Sequence, residues 1–273
     1  MANEIIPSHA AELLDDLTAI VIRACAAIAA TSPASAEHWT KDDHSPVTEA
    51  DRRSEAIILE GLAHLLPEIP VVSEESGPAA SFSSTDSFLA VDPLDGTREF
   101  IAGRDEFTVN LAVITRGAPV AGIVAAPKVG QIWRGVVGEK AERLPFTQKG
   151  PGRPESIRTR PWRSEGPVAV VSRSHLDPAS QSFLNTLGPV TRVASGSAIK
   201  FCQLAEGKAD VYPRLSTTFE WDVAAGHALV TAAGGIVTSP QGSPLVYGRA
   251  SENFRIPAFI AWGDPRKAKE INR

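Results

Sequence analysis

The stretch FLAVDPLDGTRE, residues 88–99, carries the clearest structural signal in the chain. Its first four residues are apolar and predict a short buried strand. Asp92 and Asp95 follow the strand, and loops at the ends of buried strands are where functional sites are usually built. We expect Pro93 to end the strand, because proline lacks the backbone donor that a sheet needs. Gly96 permits a sharp bend, so the two carboxylates can converge on one point.

The two aspartates have the chemistry of a divalent-cation site. Their carboxylate oxygens, with the carbonyl oxygen of Leu94 between them, are hard ligands suited to Mg²⁺ or Mn²⁺. The backbone amides of Gly96 and Thr97 could open a helix toward an anion. Asp, Pro and Gly are also frequent in ordinary turns, so this segment by itself fits a turn without a ligand equally well.

Carboxylates stand at two further element ends. In VVSEESG, residues 71–77, an apolar strand runs into Glu74 and Glu75. In EWDVAAGH, residues 220–227, Asp222 lies where a helix is predicted to begin. A solvated loop and a helix N-cap are the plain alternatives for these two segments. Three element ends that bear carboxylates, in a chain without a competing catalytic motif, favour one shared site.

Asp51 follows Thr48 at the spacing of a helix capping box. This spacing predicts a structural role for its carboxylate at the start of the second helix. The functional alternative is that Asp51 holds and deprotonates a water or a hydroxyl near the metal ions. The residues themselves favour capping and leave the second role open.

Helical and strand patterns alternate through the rest of the chain, and residues 108–137 predict a meander of strands. Helices are predicted over residues 10–30, 50–66, 178–187, 197–206 and 222–233. Residues 139–166 are dense in Pro, Gly, Lys and Arg and are expected to form a long loop. This loop would divide a single domain, 1–273, into an N-terminal half of about 1–150 and a C-terminal half of about 166–273. The mixed order predicts an α+β or mixed α/β fold with layered helices and sheets.

The composition excludes some function classes. The 273 residues include 27 Lys and Arg against 32 Asp and Glu, a formal net charge of −5. This weighs against a general binder of nucleic-acid polymers. Cys25 and Cys202 cannot build a disulfide framework and are expected to be small buried side chains. The N-terminus lacks a basic signal region, and the apolar run 17–30 carries Arg23 and is too short to span a bilayer. We therefore expect a cytoplasmic protein without a transmembrane segment.

Other catalytic classes lack their motifs. The chain contains no GxxxxGK[ST], HExxH or GxSxG, which removes support for P-loop hydrolases, zincins and α/β-hydrolases. The nearest rival is the haloacid dehalogenase type of phosphatase, whose aspartyl nucleophile lies in Asp-x-Asp-Gly-Thr. Here two residues separate Asp92 from Asp95, which changes their relative direction along an extended chain. This spacing favours a shared metal clamp over a nucleophile and acid pair.

Combined, these motifs resemble the Mg²⁺-dependent, lithium-sensitive phosphatases of the inositol monophosphatase family. The segments 73–75, 92–97 and 221–222 match its three metal-binding elements in order. Within the family, the chain is more similar to the bacterial 3'(2'),5'-bisphosphate nucleotidases, and the resemblance covers roughly residues 10–262. The segments that carry this closer similarity are SPVTEAD (45–51), REFI (98–101), EFTVN (106–110), VSRSH (171–175), GSAIKFC (196–202), AEGKADVYPR (205–214) and WDVAAGHA (221–228).

The resemblance implies a layered αβαβα fold and two or three Mg²⁺ ions at the site, with Mn²⁺ as a substitute. The metal ligands that it implies are Glu74, Asp92, the Leu94 carbonyl, Asp95 and Asp222. Glu75 would be a neighbour of the site, and Glu74 would also belong to the catalytic set. Asp51 would pair with Thr97 to activate water, a role compatible with capping. The amides of Gly96 and Thr97 would hold phosphate oxygens.

The substrate-binding residues follow from the segments that resemble the nucleotidases. Lys200 and Arg214 could engage the second phosphate of a nucleotide, or be surface charges. Ser195, Gly196 and Ser197 could bind the nucleotide, and the two serines could instead cap the following helix. Asp222 is counted with the substrate-binding residues as well as with the ligands.

The expected activity is removal of the 3'-phosphate of 3'-phosphoadenosine 5'-phosphate, giving AMP and phosphate. The alternatives are an inositol monophosphatase or a broad sugar-phosphate phosphatase. From another class, a catalytically silent sensor of metal or nucleotide is kept. The expected partner is a small phosphate molecule, with no nucleic-acid polymer, and the protein is expected to be a monomer or a homodimer. Association with the inner membrane surface stays open.

Overall fold

Helices and strands are described for residues 4–33, 37–40, 46–78, 82, 87–173 and 176–271 in a computed structural model of the chain. The helices in these ranges are α1 (Pro7–Ala29), α2 (Glu49–Leu65), α3 (Thr97–Ile101), α4 (Pro178–Thr186), α5 (Ile199–Ala205), α6 (Glu220–Ala232) and α7 (Pro265–Ile271). A 3-10 turn spans Ala250–Glu252. The strands of the first half are β1 (His38–Thr40), β2 (Pro46–Thr48), β3 (Val71–Ser73), β4 (Gly77–Pro78), β5 (Ser87–Asp95), β6 (Thr108–Thr115), β7 (Ala118–Ala126), β8 (Gln131–Val136), β9 (Lys140–Thr147), β10 (Gly150–Pro151) and β11 (Glu155–Ser156). The strands of the second half are β12 (Val168–Ser172), β13 (Thr191–Ser195), β14 (Val211–Arg214), β15 (Thr218–Phe219), β16 (Ile236–Thr238), β17 (Arg255–Ile256) and β18 (Phe259–Trp262).

Two large sheets organise these strands. The first has the order β10-β9-β8-β7-β6-β5-β3-β4, with β11 paired to β9. Its pairs are antiparallel except for β3 and β5, which run parallel, so the residues that follow both strands emerge at one edge. The second sheet has the order β13-β12-β14-β18-β16 and is mixed. Two further two-stranded antiparallel sheets pair β1 with β2 and β15 with β17.

The helices form layers around the sheets. Helices α1 and α2 pack on one face of the first sheet, and α6 packs on its other face against β5, β6, β7 and β8. Helix α5 packs on α6 and on the second sheet, while α4 and α7 contact strands β14 and β18 of that sheet. The order of layers is therefore α, β, α, β, α. This confirms the expectation of a layered α+β fold.

Alternating residues of β5 and β6 supply two different cores. Leu89, Val91, Leu111 and Val113 join the cluster under α1 and α2. The intervening side chains, such as Ala112, belong to the cluster under α6. This is the two-residue period of a strand that is buried on both faces. Helix α6 approaches so closely that a Cβ added at Gly122 would lie 2.3 Å from the carbonyl oxygen of Ala225.

The expectation of a long loop over residues 139–166 is wrong for the segments 140–147, 150–151 and 155–156, which form strands, whereas residues 157–166 contain no helix or strand. Strand β9 lies on β8 and continues the first sheet, and β10 and β11 pair with β9. Ala141 and Leu144 are buried, whereas the residues around them keep partial contact with solvent. The apolar signal in the sequence is weak because β9 buries few of its side chains.

The expectation that Pro93 ends the strand is also wrong. Strand β5 continues to Asp95, with a register shift on β6 between Asp92 and Asp95. A bulge accommodates a proline because the residue there need not donate to the ladder. The irregularity falls between the two aspartates and changes the direction of the segment that carries them.

Two smaller expectations can be compared with the structure. Cys25 and Cys202 are buried, and burial raises the pKa of both thiols. Their expected role as small buried side chains is confirmed. Among the described helices, none combines the length and the apolar character needed to cross a bilayer.

Candidate active site

Three carboxylates from three separate elements meet at one edge of the first sheet. Glu74 follows β3, Asp92 belongs to the end of β5, and Asp222 lies in the first turn of α6. One oxygen from each of these side chains lies within 4.8 Å of the other two. Asp95 lines the same cavity as Glu74 and Asp222. The sequence therefore predicted correctly which element ends come together.

The local backbone explains how these carboxylates are presented. The amide of Glu74 donates to the carbonyl oxygen of Val91 at 3.1 Å, which continues the β3–β5 pairing by one residue. Asp222 accepts hydrogen bonds from the Thr218 hydroxyl and from the amide of Phe219, so its carboxylate also caps α6. The alternative that Asp222 is the N-cap is wrong, because Phe219 holds that position and Asp222 is the third residue of α6, but its carboxylate makes a capping contact while lining the cavity.

The donor set fits a divalent cation. Asp92 is 1% exposed, and its Oδ1 accepts from the amide of Leu94 at 3.0 Å. Its Oδ2 is buried without a hydrogen-bond donor among the described residues. Burial and the nearby charges of Glu74, Asp95 and Asp222 raise the pKa of Asp92 well above its ordinary value. A buried carboxylate oxygen without a donor, beside other carboxylates, is expected where a hard cation binds.

Asp51 and Thr97 form a pair beside these carboxylates. Asp51 is the third residue of α2, and its Oδ2 accepts from the amide of Thr48 at 2.8 Å in a capping box. The Thr97 hydroxyl lies 3.0 Å from Asp51 Oδ1 and 3.2 Å from the carbonyl oxygen of Leu94. Burial raises the pKa of Asp51, although the hydrogen bonds from Thr48 and Thr97 oppose the shift. One carboxylate therefore makes both the capping contact and the contact with Thr97.

Gly96 sets the direction of the segment that carries Thr97. It precedes α3 with a φ of 95°, a left-handed conformation that favours glycine. A Cβ at this position would also lie 3.2 Å from the carbonyl oxygen of Glu106. Both Gly96 and Thr97 line the cavity, as the sequence predicted.

The segment 195–197 reaches the acidic cluster from the second half of the chain. The Ser197 hydroxyl donates to Asp95 Oδ2 at 2.7 Å and is hydrogen-bonded to Thr108. Ser195 is 1% exposed, and its hydroxyl has no partner among the described residues. Helix α5 begins at Ile199 without a side-chain cap, so the alternative that the two serines cap this helix is wrong. Gly196 lines the cavity between them.

Lys200 and Arg214 bring positive charge to the wall of the same cavity. Lys200 is 4% exposed, and its Nζ donates to the Ser197 carbonyl oxygen at 2.5 Å and lies 5.3 Å from the centre of the Tyr212 ring. Burial lowers the pKa of Lys200 to about 8. Burial also acts against the charge of Arg214, but Tyr212, Asp222 and other acidic neighbours raise its pKa overall. The alternative of an exposed surface charge is therefore wrong for Lys200, and Arg214 is largely enclosed.

The cavity that the acidic cluster, Lys200 and Arg214 line has a volume of about 260 Å³. The sequence did not assign a role to several residues that line it, namely Arg98, Glu99, Ser172, Tyr212 and Phe259. It also did not assign Asn110, whose side-chain amide lies 3.5 Å from Asp95 Oδ2. Arg98, Asn110 and Ser172 fall inside segments that the sequence singled out, so position within those motifs was the available signal. Ser45 and His175 of the same motifs lie outside the described residues.

The model of the inositol monophosphatase family matches residues 8–260. The chain belongs to the inositol monophosphatase family. A curated family member from Salmonella typhimurium, the 3'(2'),5'-bisphosphate nucleotidase CysQ, is 42% identical over 224 residues, which cover 82% of this chain and 87% of the relative.

Solved structures of the inositol monophosphatase family share the fold. The crystal structure of CysQ from Bacteroides thetaiotaomicron superposes with a TM-score of 0.74 at 34% identity and covers 94% of this chain and 97% of that chain. The inositol monophosphatase of Anabaena sp. PCC 7120 superposes with a TM-score of 0.75 at 25% identity and covers 96% of this chain and 94% of that chain.

Proposed function

We propose that this member of the inositol monophosphatase family is a metal-dependent phosphomonoesterase, a 3'(2'),5'-bisphosphate nucleotidase. It would convert 3'-phosphoadenosine 5'-phosphate and water to AMP and phosphate. The observation that carries the proposal is the meeting of Glu74, Asp92 and Asp222 beside the Asp51–Thr97 pair. The relatives named CysQ, at 41–42% identity, support the choice of substrate.

Five groups would hold the metal: the carboxylates of Glu74, Asp92, Asp95 and Asp222, and the Leu94 carbonyl oxygen. We propose Mg²⁺ because every donor is an oxygen, and Mn²⁺ shares this ligand preference. The number of ions that the family resemblance implies is two or three per site. When bound, such ions bind phosphate oxygens, lower the pKa of water and stabilise the leaving oxygen. Uncatalysed hydrolysis of phosphate monoesters is very slow, so a large reduction of the barrier is needed.

Two residues beside the metal ligands would orient the attacking water and accept its proton. Thr97, held 3.0 Å from Asp51, is placed to orient the attacking water, and Asp51 is the group that would accept its proton. The P–O bond to the ribose oxygen then breaks, and that oxygen leaves as the 3'-hydroxyl of AMP after it takes up a proton. The amides of Gly96 and Thr97 would hold phosphate oxygens at the edge of the cavity.

The part of the cavity wall formed by Lys200 and Arg214 would bind the second phosphate. Arg214 keeps its charge at neutral pH and can contact a phosphate through two nitrogens. Lys200 already donates to the backbone of the 195–197 segment, so it would act on the substrate partly through that segment. An inositol monophosphate has no second phosphate that would use this wall, which favours the nucleotidase over the inositol phosphatase.

The deciding experiment is a comparison of two substrates. We expect Mg²⁺-dependent phosphate release from 3'-phosphoadenosine 5'-phosphate with a higher kcat/KM than from inositol 1-phosphate. A preference for inositol 1-phosphate would contradict the nucleotidase and support the alternative phosphatase. Absence of release from both substrates, with the nucleotide still bound, would support the silent sensor. The single domain, the cytoplasmic location and the monomer or homodimer stay predictions.

A further inference from the structure

The turn that carries Glu74 is held by another carboxylate, Glu55 of α2, to which the proposed function gives no task. Glu55 Oε1 accepts from the Ser73 hydroxyl at 2.5 Å, from the Ser76 amide at 3.1 Å and from the Ser76 hydroxyl at 3.0 Å. Ser73 is the residue before Glu74, and Ser76 lies two residues after it. Glu55 therefore anchors the chain on both sides of Glu74.

The same face of α2 contacts the other carboxylate segment. Asp51, one turn before Glu55, contacts Thr97. The hydroxyl of Ser54, the residue directly before Glu55, donates to the Pro93 carbonyl oxygen at 2.7 Å. Residues three and four positions apart on a helix lie on one side. Helix α2 thus connects the Glu74 turn to the segment of Asp92 and Asp95 at fixed spacing.

Repulsion among the clustered carboxylates is the reason why the turn that carries Glu74 needs an anchor. Carboxylates at the distances found here repel one another until a cation lies between them, and the repulsion is stronger in a buried place than in water. Glu74 is the member of the cluster that stands on a turn, whereas Asp92 belongs to a central strand. Without an anchor, the turn is the part of the site that can move away, so fixing it lowers the ordering cost of binding a cation.

We propose that Glu55 is a positioning residue that holds Glu74 in place for a divalent cation through Ser73 and Ser76. The inference rests on the proposed function, because it takes Glu74 to be a ligand. Its task differs from that of Asp51: loss of Glu55 weakens cation binding, and loss of Asp51 slows turnover. Partners that orient metal ligands typically contribute about 10- to 100-fold to metal affinity.

The test is a calorimetric titration of the full chain with Mg²⁺ alone. We expect Glu55→Ala to bind Mg²⁺ about 10-fold more weakly than the wild type. Glu55→Gln keeps an acceptor oxygen and should lie between the two. The Mg²⁺ concentration that half-activates phosphate release should rise in parallel, while kcat at saturating Mg²⁺ stays close to wild type. Glu60→Ala, which removes an exposed carboxylate from the same helix, is the matched control and should bind Mg²⁺ as the wild type does.

Ser76→Ala serves as a second variant, because Ser76 is exposed and its loss leaves the core intact. It should weaken Mg²⁺ binding in the same direction by a smaller factor of about 2 to 5, since the contact from the Ser76 amide remains. Wild-type Mg²⁺ affinity in folded Glu55→Ala would overturn the inference while leaving the proposed function standing. A wild-type protein that binds no Mg²⁺ would instead overturn the proposed function, and the inference with it.

Discussion

Asp51 combines a structural and a chemical task in one carboxylate. Its Oδ2 caps α2, and its Oδ1 faces Thr97. We expect Asp51→Asn to lower kcat by about 10²- to 10⁴-fold, because the amide cannot accept the proton of the attacking water. The affinity for Mg²⁺ should change little. Steady-state kinetics together with Mg²⁺ titration measures both quantities.

Asp177→Asn provides the matched control for Asp51→Asn. Asp177 caps α4 by accepting from the Ser180 amide at 2.8 Å, and it does not line the cavity. Its replacement should reduce stability by up to about 1 kcal/mol and leave kcat unchanged. Equal kcat values for Asp51→Asn and the wild type would remove Asp51 from the proposed chemistry.

His227 links stability to pH at a position away from the ligands. Its Nδ1 lies 2.9 Å from the Tyr247 hydroxyl, and burial lowers the pKa of His227 to about 4. Between pH 6.5 and pH 4 the unfolded chain takes up a proton at this ring and the folded chain does not, so stability falls as pH falls. A shift of this size corresponds to about 3 kcal/mol for an enclosed ring, and the partial exposure of His227 reduces our expectation to about 2 kcal/mol.

The measurement is the free energy of unfolding by denaturant at pH 7 and pH 4.5 for the wild type and for His227→Gln. The glutamine can still contact Tyr247 but does not titrate, so the variant should lose less stability on acidification than the wild type. The difference between the two proteins cancels the contributions of the carboxylates. An identical loss in both proteins would show that folding does not lower the pKa of His227.

At the scale of elements, an ion pair joins the two sheets beside the 195–197 segment, in addition to the contacts of Ser197 with Asp95 and Thr108. Arg173, directly after β12, donates from Nε and Nη2 to both oxygens of Glu106 at 2.7 and 2.8 Å. Its Nη2 also donates to the Ala194 carbonyl oxygen at 2.9 Å. The pair is partly exposed, so its contribution to stability should be below about 1 kcal/mol. Its effect should instead fall on the position of the segment that contacts Asp95.

We therefore expect Arg173→Gln to raise KM for 3'-phosphoadenosine 5'-phosphate several-fold with a smaller change in kcat. Glu106→Gln should act alike, and the double variant should be no worse than either single one, because both changes break the same contact. Arg116→Gln, which breaks the exposed pair with Glu4 away from the cavity, is the control. Additive effects of the two substitutions would contradict a shared positioning role.

The elements that the sequence predicted well are those with a long, nearly continuous run of apolar residues. Strand β6 and helix α6 bury most of their length, so their patterns are unambiguous. Strand β9 was missed because it buries few residues, and the continuation of β5 through Pro93 was missed because a bulge depends on the partner strand.

The candidate site also contains residues that could be predicted from the sequence and residues that could not. The carboxylates were predictable because each stands at the end of an apolar element. Glu55 was not, since its contacts are with residues 18 and 21 positions away and its own neighbourhood is an ordinary helix. The contact between Ser197 and Asp95 spans 102 positions and depends on how the two sheets meet.

At the scale of the whole molecule, five of the acidic residues are concentrated at the proposed site. Asp51, Glu74, Asp92, Asp95 and Asp222 are five acids, which leave 27 acidic residues against 27 basic ones in the rest of the chain. These five acids equal the formal net charge of −5 in number, and Lys200 and Arg214 are the basic side chains that line the same cavity together with Arg98. A surplus that is concentrated in this way opposes folding through local repulsion and is relieved by bound cations.

The final prediction follows from this location of charge. Mg²⁺ would bind the folded state and not the unfolded state. A Mg²⁺ concentration 100 times its Kd should therefore stabilise the fold by about 2.7 kcal/mol and raise Tm by roughly 5 °C or more. Asp95→Asn should fold without metal, lose turnover and lose most of this rise. Asp16→Asn changes the net charge equally at an exposed position and should keep the rise. An equal rise in all three proteins would mean that Mg²⁺ acts on the general charge of the surface, and the acidic cluster would then not be the metal site.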